Sequence, residues 1–419
     1  MTPHHTLEQA IARLWPELPA HFGAEWPRVS LVLASLLRAL EGDASEDAEE
    51  EIYALFASAP AALGALTRAV ADLTKHADRA ARAVRAAPAG RLERFMIVPV
   101  YYGTDRERDD TEGRAGYSGR RGSALRLGCA QVAIPDDHRM GTIERPRWWR
   151  LEFREDPERH VTITAVEELD RARFLASARS DASAGAPEAL VFVHGYNVSF
   201  DDAVRRAAQV SYDLQFEGLA MLFSWPSAGT LQGYLADEAS VRWAQQDFHE
   251  FLRLCLSELG LATVHVVAHS MGNRVLAEVL GAPVPVREDD RWARLDQIVF
   301  AAPDIDADTF GQLAARFHGR TGRCTLYASR EDLALKQSHL FHQYPRAGYC
   351  VDGILVAAGV DAIDASAVDT SLMGHSYFGD NRSLLTDLFQ LLRERQAPDG
   401  RFGLVAREGP TGRYWEFRP

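Results

Sequence analysis

Val264-His265-Val266-Val267-Ala268-His269-Ser270-Met271-Gly272-Asn273-Arg274-Val275-Leu276 is the stretch whose reading decides the fold. A β-branched run ends at Ala268-His269, and Val275, Leu276 and Val279 then recur at helical spacing. Strand, tight turn and helix in that order is the setting of a nucleophile elbow, in which a serine at the tip takes a strained backbone that exposes its hydroxyl. Strand and helix approach closely enough only if the residues two before and two after the serine are small. Gly272 meets that condition, and Ala268 departs from glycine by one methyl group.

Outward from the elbow, short apolar runs read as strands: Met96 to Tyr101, Ala130 to Ile134, Leu190 to Val193, Met221 to Phe223, Gln297 to Ala301 and Cys324 to Ala328. Amphipathic stretches such as Phe200 to Phe216 and Ala236 to Leu259 read as the intervening helices. This alternation predicts right-handed crossovers and a mostly parallel α/β sheet covered by helices on both faces. Residues 105–180 are richer in polar turns, and the strand-like pair Trp149 to Phe153 and His160 to Val166 predicts early antiparallel strands there. Residues 1–90 read as a separate all-helical domain and residues 91–419 as the second domain, joined through Ala87-Pro88-Ala89-Gly90. In the first, Thr6 and Gln9 form a capping box ahead of Leu7, Ile11 and Leu14, a second helix runs from Val29 to Leu40, and two Ala-rich helices fill 60–86.

A chain of 419 residues with 47% hydrophobic content has ample capacity for a large core. Its formal net charge of -13 sets an acidic surface against a phosphate backbone, so no nucleic-acid partner is expected. Cys129, Cys255, Cys324 and Cys350 are far apart and form no CxxC pair, so neither a metal site nor a disulfide framework is expected, and a reducing cytoplasm fits best. The N-terminus lacks a basic region followed by an apolar one, and no run is long enough to span a bilayer. Membrane contact is expected to be peripheral at most.

A serine hydroxyl needs an imidazole base, itself oriented by a carboxylate. With the order serine, acid, histidine, the search is confined to residues after 270. His375, in Met373-Gly374-His375-Ser376, follows the last strand-like run, Val360 to Ile363, and precedes the helix Leu384 to Leu392. It is the expected base, ahead of His318, His339 and His342. Asp332 follows the strand Cys324 to Ala328 and is the expected acid. Asp304 and Asp306, after the preceding strand, are the alternatives, with capping of the helix Ala307 to Phe317 as their ordinary role. Glu331 is a weaker contender.

The tetrahedral oxyanion calls for two fixed N–H donors. Met271, just after the nucleophile, supplies one. Phe192-Val193-His194-Gly195-Tyr196-Asn197 ends a strand in His-Gly, so the Tyr196 N–H supplies the other. His194, Asn197, Trp225 and His269 are candidates for lining a substrate pocket, Trp225 through the loop Trp225 to Tyr234.

Taken together these motifs resemble the bacterial α/β hydrolases grouped as DUF900, which have distant similarity to lipases and carboxylesterases. The resemblance runs from about 95 to 393 through Tyr102-Gly103-Thr104-Asp105-Arg106, Ile134-Pro135, His138-Arg139-Met140-Gly141, Val193 to Asn197 and Phe223-Ser224-Trp225-Pro226-Ser227. It continues in Ala268 to Gly272, Ala302-Pro303-Asp304, Asp332-Leu333-Ala334-Leu335 and Gly374-His375. It implies the α/β-hydrolase fold and a Ser270, Asp332, His375 triad. The expected activity is hydrolysis of a small-molecule or lipid carboxylic ester without a cofactor. Lipase or phospholipase and amidase or peptidase activities are the enzymatic alternatives; a catalytically idle scaffold is the non-enzymatic one. The N-terminal helices lie outside the family pattern. They resemble adaptor domains, which implies a protein partner or self-association through residues 1–90.

Overall fold

The computed structural model describes residues 94–110, 116–146, 155–184, 186–228, 233–283, 292–351, 353–368 and 382–418, with scattered positions between 11 and 66. The chain forms two compact units, Met1–Arg94 with Arg145–His160, and Phe95–Glu144 with Val161–Pro419. The sequence reading set one boundary, at 90/91. The structure additionally assigns Arg145–His160 to the first unit. Its ends are pinched together, since the Val161 N–H donates to the Glu144 carbonyl at 2.9 Å.

In the first unit the described residues are mainly helical, including α1 (Leu18–Phe22), with a proline in its first turn. Ile11, Leu14, Leu18, Phe22, Val29, Leu33, Ile52, Phe56 and Leu66 are buried. Phe22 meets Phe56 edge-on at 5.6 Å, and Trp15 meets Trp26 edge-on at 5.3 Å. The capping box at Thr6, the end of the helix Val29 to Leu40 and most of 60–86 lie outside the described residues.

The second unit runs β1 (Phe95–Arg108), β2 (Tyr117–Pro135), β3 (Thr162–Leu169), α2 (Arg171–Ala184), β4 (Glu188–Val193), α3 (Phe200–Asp213) and β5 (Leu219–Ser224). It continues α4 (Tyr234–Trp243), α5 (Gln245–Glu258), β6 (Thr263–His269), α6 (Gly272–Gly281), β7 (Leu295–Ala301), α7 (Ala307–Phe317), β8 (Arg323–Ala328) and α8 (Leu333–His342). β9 (Val360–Asp364), α9 (Arg382–Leu392), β10 (Leu404–Gly409) and β11 (Gly412–Phe417) complete it. The strands form one sheet in the order β10-β11-β9-β8-β7-β6-β4-β5-β1-β2-β3. Pairing is parallel from β1 through β5, β4, β6, β7, β8 and β9 to β11, and antiparallel in β1–β2, β2–β3 and β10–β11.

Side chains alternate between two cores. Val191, Val266, Ile298 and Leu326 join Phe251, Leu276 and Phe310 on one face, while Phe192, Val267, Val299 and Tyr327 join Val204, Ala208 and Leu388 on the other. Burial on both faces is why the central strands read as continuous apolar runs.

Three elements depart from the sequence expectation. β1 and β2 are far longer than their apolar segments, because the antiparallel ladder continues through an arginine-rich stretch to the pair Arg108 and Tyr117. The helix expected over Ala236 to Leu259 is two helices: at fully buried Ala244 the backbone opens to ψ -7°. The C-terminal hairpin β10–β11 extends the sheet beyond β9. Of the expected antiparallel pair, His160 to Val166 appears in β3; positions 147–154 are outside the described residues.

Candidate active site

Register places the strand ends side by side. Val193 pairs with Ala268, His269 with Ala301, Ala301 with Tyr327, and Ala328 with Asp364. The segments after β4, β6, β7 and β8 therefore leave from one edge of the sheet, where open α/β sheets bind ligands. Ser270, the segment from His194 to Asn197, Asp304 and Asp332 all lie there.

Ser270 sits between β6 and α6 with φ +49°, a left-handed conformation that costs a residue with a side chain about 1–3 kcal/mol. Its neighbours hold it there. The Ser270 N–H donates to the Ala301 carbonyl at 3.0 Å, and its own carbonyl accepts the N–H groups of Asp304 at 3.1 Å and Asn273 at 3.2 Å. The Asn273 side-chain amide also donates to that carbonyl, at 2.9 Å, and to Ala301 at 3.0 Å. Gly272 is required by contact, because a Cβ there would stand 2.3 Å from the His194 carbonyl oxygen. A Cβ on Gly195 would fall 2.9 Å from the Ser270 Cβ, so the loop after β4 lies directly against Ser270. Met271 opens α6 without a side-chain cap.

His194 and Trp225, read as candidates for lining a pocket, support the loop after β4 in the structure. Both are buried, with the rings stacked at 5.0 Å and the Trp225 indole N–H donating to the His194 carbonyl at 2.8 Å. Burial, followed by the charge of Arg106, pushes the His194 imidazole down to about 3, so it is neutral at physiological pH. His269 is buried on β6. Asn197 has φ +58°, and its N–H donates to Asp237, which also accepts from Ser227 Oγ at 2.5 Å and the Ala228 N–H at 2.7 Å. Asp237 thus ties the loop after β4 to the loop after β5.

The candidate acids have different surroundings. Asp332 is the N-cap of α8, one oxygen accepting the Leu335 N–H at 2.9 Å. Asp304 is 2% exposed and enclosed: Ser338 Oγ donates to one oxygen at 2.6 Å, the Tyr234 hydroxyl to the other at 2.6 Å, and Arg274 and Arg346 each stand 3.4 Å away. Burial alone would raise its pKa, but the two guanidiniums outweigh burial and hold it below the usual carboxylate range. An imidazole reaching Asp304 would have to displace one of these donors. Asp306 caps α7 through the Thr309 N–H at 2.8 Å. His375 lies outside the described residues.

Beside this cluster a cavity of about 520 Å³ is lined by Glu238, Arg242, Arg274, Asp306, His342 and Arg346, among others. Among the described residues no group of three or more His, Cys, Asp or Glu side chains is arranged to hold a metal ion, and no helix is long and apolar enough to cross a membrane.

The sequence model for alpha/beta hydrolases of unknown function, DUF900, matches residues 178–395. The chain belongs to this family. Curated proteins gave no match. The DUF900 match contains Ser270, Asp332 and His375, and begins after β1. Arg106, on that earlier strand, was not named as a site residue, although it lies in Tyr102-Gly103-Thr104-Asp105-Arg106, one of the stretches that carry the family resemblance. The cluster of Tyr234, Arg274, Asp304, Ser338 and Arg346 was missed as well, because its members are distant in sequence.

Proposed function

We propose that this α/β hydrolase is a serine hydrolase that cleaves carboxylic esters through an acyl-enzyme. Ser270 Oγ attacks the acyl carbonyl while His375 takes its proton, and the Met271 and Tyr196 N–H groups stabilise the oxyanion. His375 returns the proton to the leaving alcohol, Asp332 orients and stabilises the imidazolium, and water activated by His375 releases the acid. The observation carrying this reading is the strained Ser270, held at φ +49° against the Gly195 loop. Strain of this kind persists where surrounding structure over-determines it, as at active sites.

An amidase or peptidase is the second reading, favoured by Glu238, Arg242, Arg274 and Arg346 at the cavity beside α6, charges that would anchor the polar groups of a peptide.

Hydrolysis of p-nitrophenyl esters of increasing chain length, set against p-nitroanilides, separates the two. In the better substrate Asp332→Asn is expected to lower kcat by about 10³–10⁴-fold, the scale on which a triad carboxylate acts. Asp304→Asn is expected to lower the melting temperature while leaving kcat of the folded protein within a few fold. The reverse pattern overturns the assignment of the acid.

A further inference from the structure

Arg106, at the end of β1, is fully buried, and all three of its guanidinium nitrogens are engaged. Nε donates to Ser224 Oγ at 2.9 Å, and Nη1 to the carbonyls of Ser118 at 3.3 Å and Ser227 at 3.0 Å. Nη2 donates to the Val198 carbonyl at 2.7 Å and stands 3.2 Å from His194 Nε2. One side chain therefore gathers the β1–β2 hairpin and the loops after β4 and β5.

A guanidinium only donates, so the nitrogen it faces must be the unprotonated one of a neutral ring. Ser224 Oγ, 3.2 Å from the same Nε2, can turn its hydrogen toward it too. The Trp225 carbonyl, 3.1 Å away, would prefer an Nε2–H, but it already accepts the Ser227 N–H at 2.8 Å. The single ring proton then sits on Nδ1, which is 2.8 Å from the Gly195 carbonyl and donates to it. That carbonyl and the Tyr196 N–H belong to one trans peptide and point in opposite directions. Fixing the carbonyl toward the His194 ring turns the Tyr196 N–H away from it, on a loop that lies against Ser270.

We propose that Arg106 is a positioning residue for the oxyanion hole. It holds His194 as the Nδ1–H tautomer and thereby sets the peptide plane that presents the Tyr196 N–H. The catalytic part rests on the serine-hydrolase reading; the tautomer does not.

Two measurements test it. Nitrogen-15 NMR of histidine-labelled protein is expected to show His194 neutral with its proton on Nδ1. In kinetics, Arg106→Gln is expected to lose about 10²-fold in kcat, the scale of one oxyanion donor, with KM within about threefold and a matching loss of affinity for a trifluoromethyl ketone analogue. Arg106→Lys keeps the charge without the planar fork and recovers little. His194→Asn, whose amide nitrogen stands in for Nδ1, is expected to lose less activity than His194→Gln. An Nε2–H tautomer in an active enzyme overturns the proposal, as does unchanged kcat and analogue affinity in folded Arg106→Gln. A wild type with the Nδ1–H tautomer but neither turnover nor active-site labelling overturns instead the serine-hydrolase reading and the catalytic role built on it.

Discussion

Arg106 and Arg401 are both buried arginines of the second unit, held by opposite kinds of partner. Arg106 hydrogen-bonds neutral acceptors, three of them in the loops after β4 and β5 and a fourth, Ser224, at the end of β5. Arg401 meets a carboxylate: Nη1 donates to Asp387 at 2.9 Å and to the Tyr327 hydroxyl at 3.1 Å, and that hydroxyl donates to Asp387 at 2.5 Å. The other nitrogens of Arg401 have no hydrogen-bond partner among the described residues. The Arg401 cluster fastens β8, α9 and the turn at Pro398–Gly400, so its main effect is expected on stability. The Arg106 cluster fastens loops beside Ser270, so under the proposed mechanism its main effect falls on rate. A buried cation reveals its role through its acceptors more than through its burial.

The sharpest way to break the comparison is Asp387→Ala. Removing one partner of a buried pair strands the other charge, so about 3–5 kcal/mol of stability should be lost, measured by urea unfolding, with kcat of the folded fraction unchanged. The double change Asp387→Leu with Arg401→Met should recover most of that loss. A fall in kcat without loss of stability would erase the distinction between the clusters.

His138 offers a third buried cation and a somewhat smaller effect. Nδ1 is 2.8 Å from Glu144 and Nε2 2.9 Å from Asp213, whose other oxygen accepts the Gly141 N–H at 2.7 Å and the Gln209 side-chain amide. Burial alone would lower the imidazole pKa, but Asp213 and Glu144 outweigh it and push it up to about 9. The folded value lies above the ordinary 6.5, so the clamp stabilises fully below pH 6.5 and its contribution disappears as pH rises through 9. The stability difference between wild type and His138→Gln should be on the order of 2–3 kcal/mol at pH 6 and shrink toward pH 9. A difference that grows with pH would contradict the charged clamp.

What was legible in the sequence follows the range of the interactions. The elbow was readable because its causes are local: a β-branched strand, a small residue where the His194 carbonyl closes in, and helical spacing from Val275. The sheet was readable because burial on both faces leaves apolar runs. Arg106 was not, since its importance arises only when Ser118, His194, Val198, Ser224 and Ser227 converge on it. Asp304 looked like a capping residue or an acid until Ser338 and Arg346 were brought onto it by the chain beyond β8. Trp225 looked like a pocket wall because sequence cannot distinguish an aromatic ring facing solvent from one stacked under a loop. The long β1–β2 hairpin was hidden because backbone ladders, which leave no apolar pattern, carry it past Thr104.

The central claim is that Ser270 is an activated nucleophile, and covalent labelling tests it most directly. A fluorophosphonate probe followed by intact-mass and peptide mapping should add one adduct per chain at Ser270, and folded Ser270→Ala should take up none. Labelling that persists in Ser270→Ala, or none in folded wild type, would contradict it.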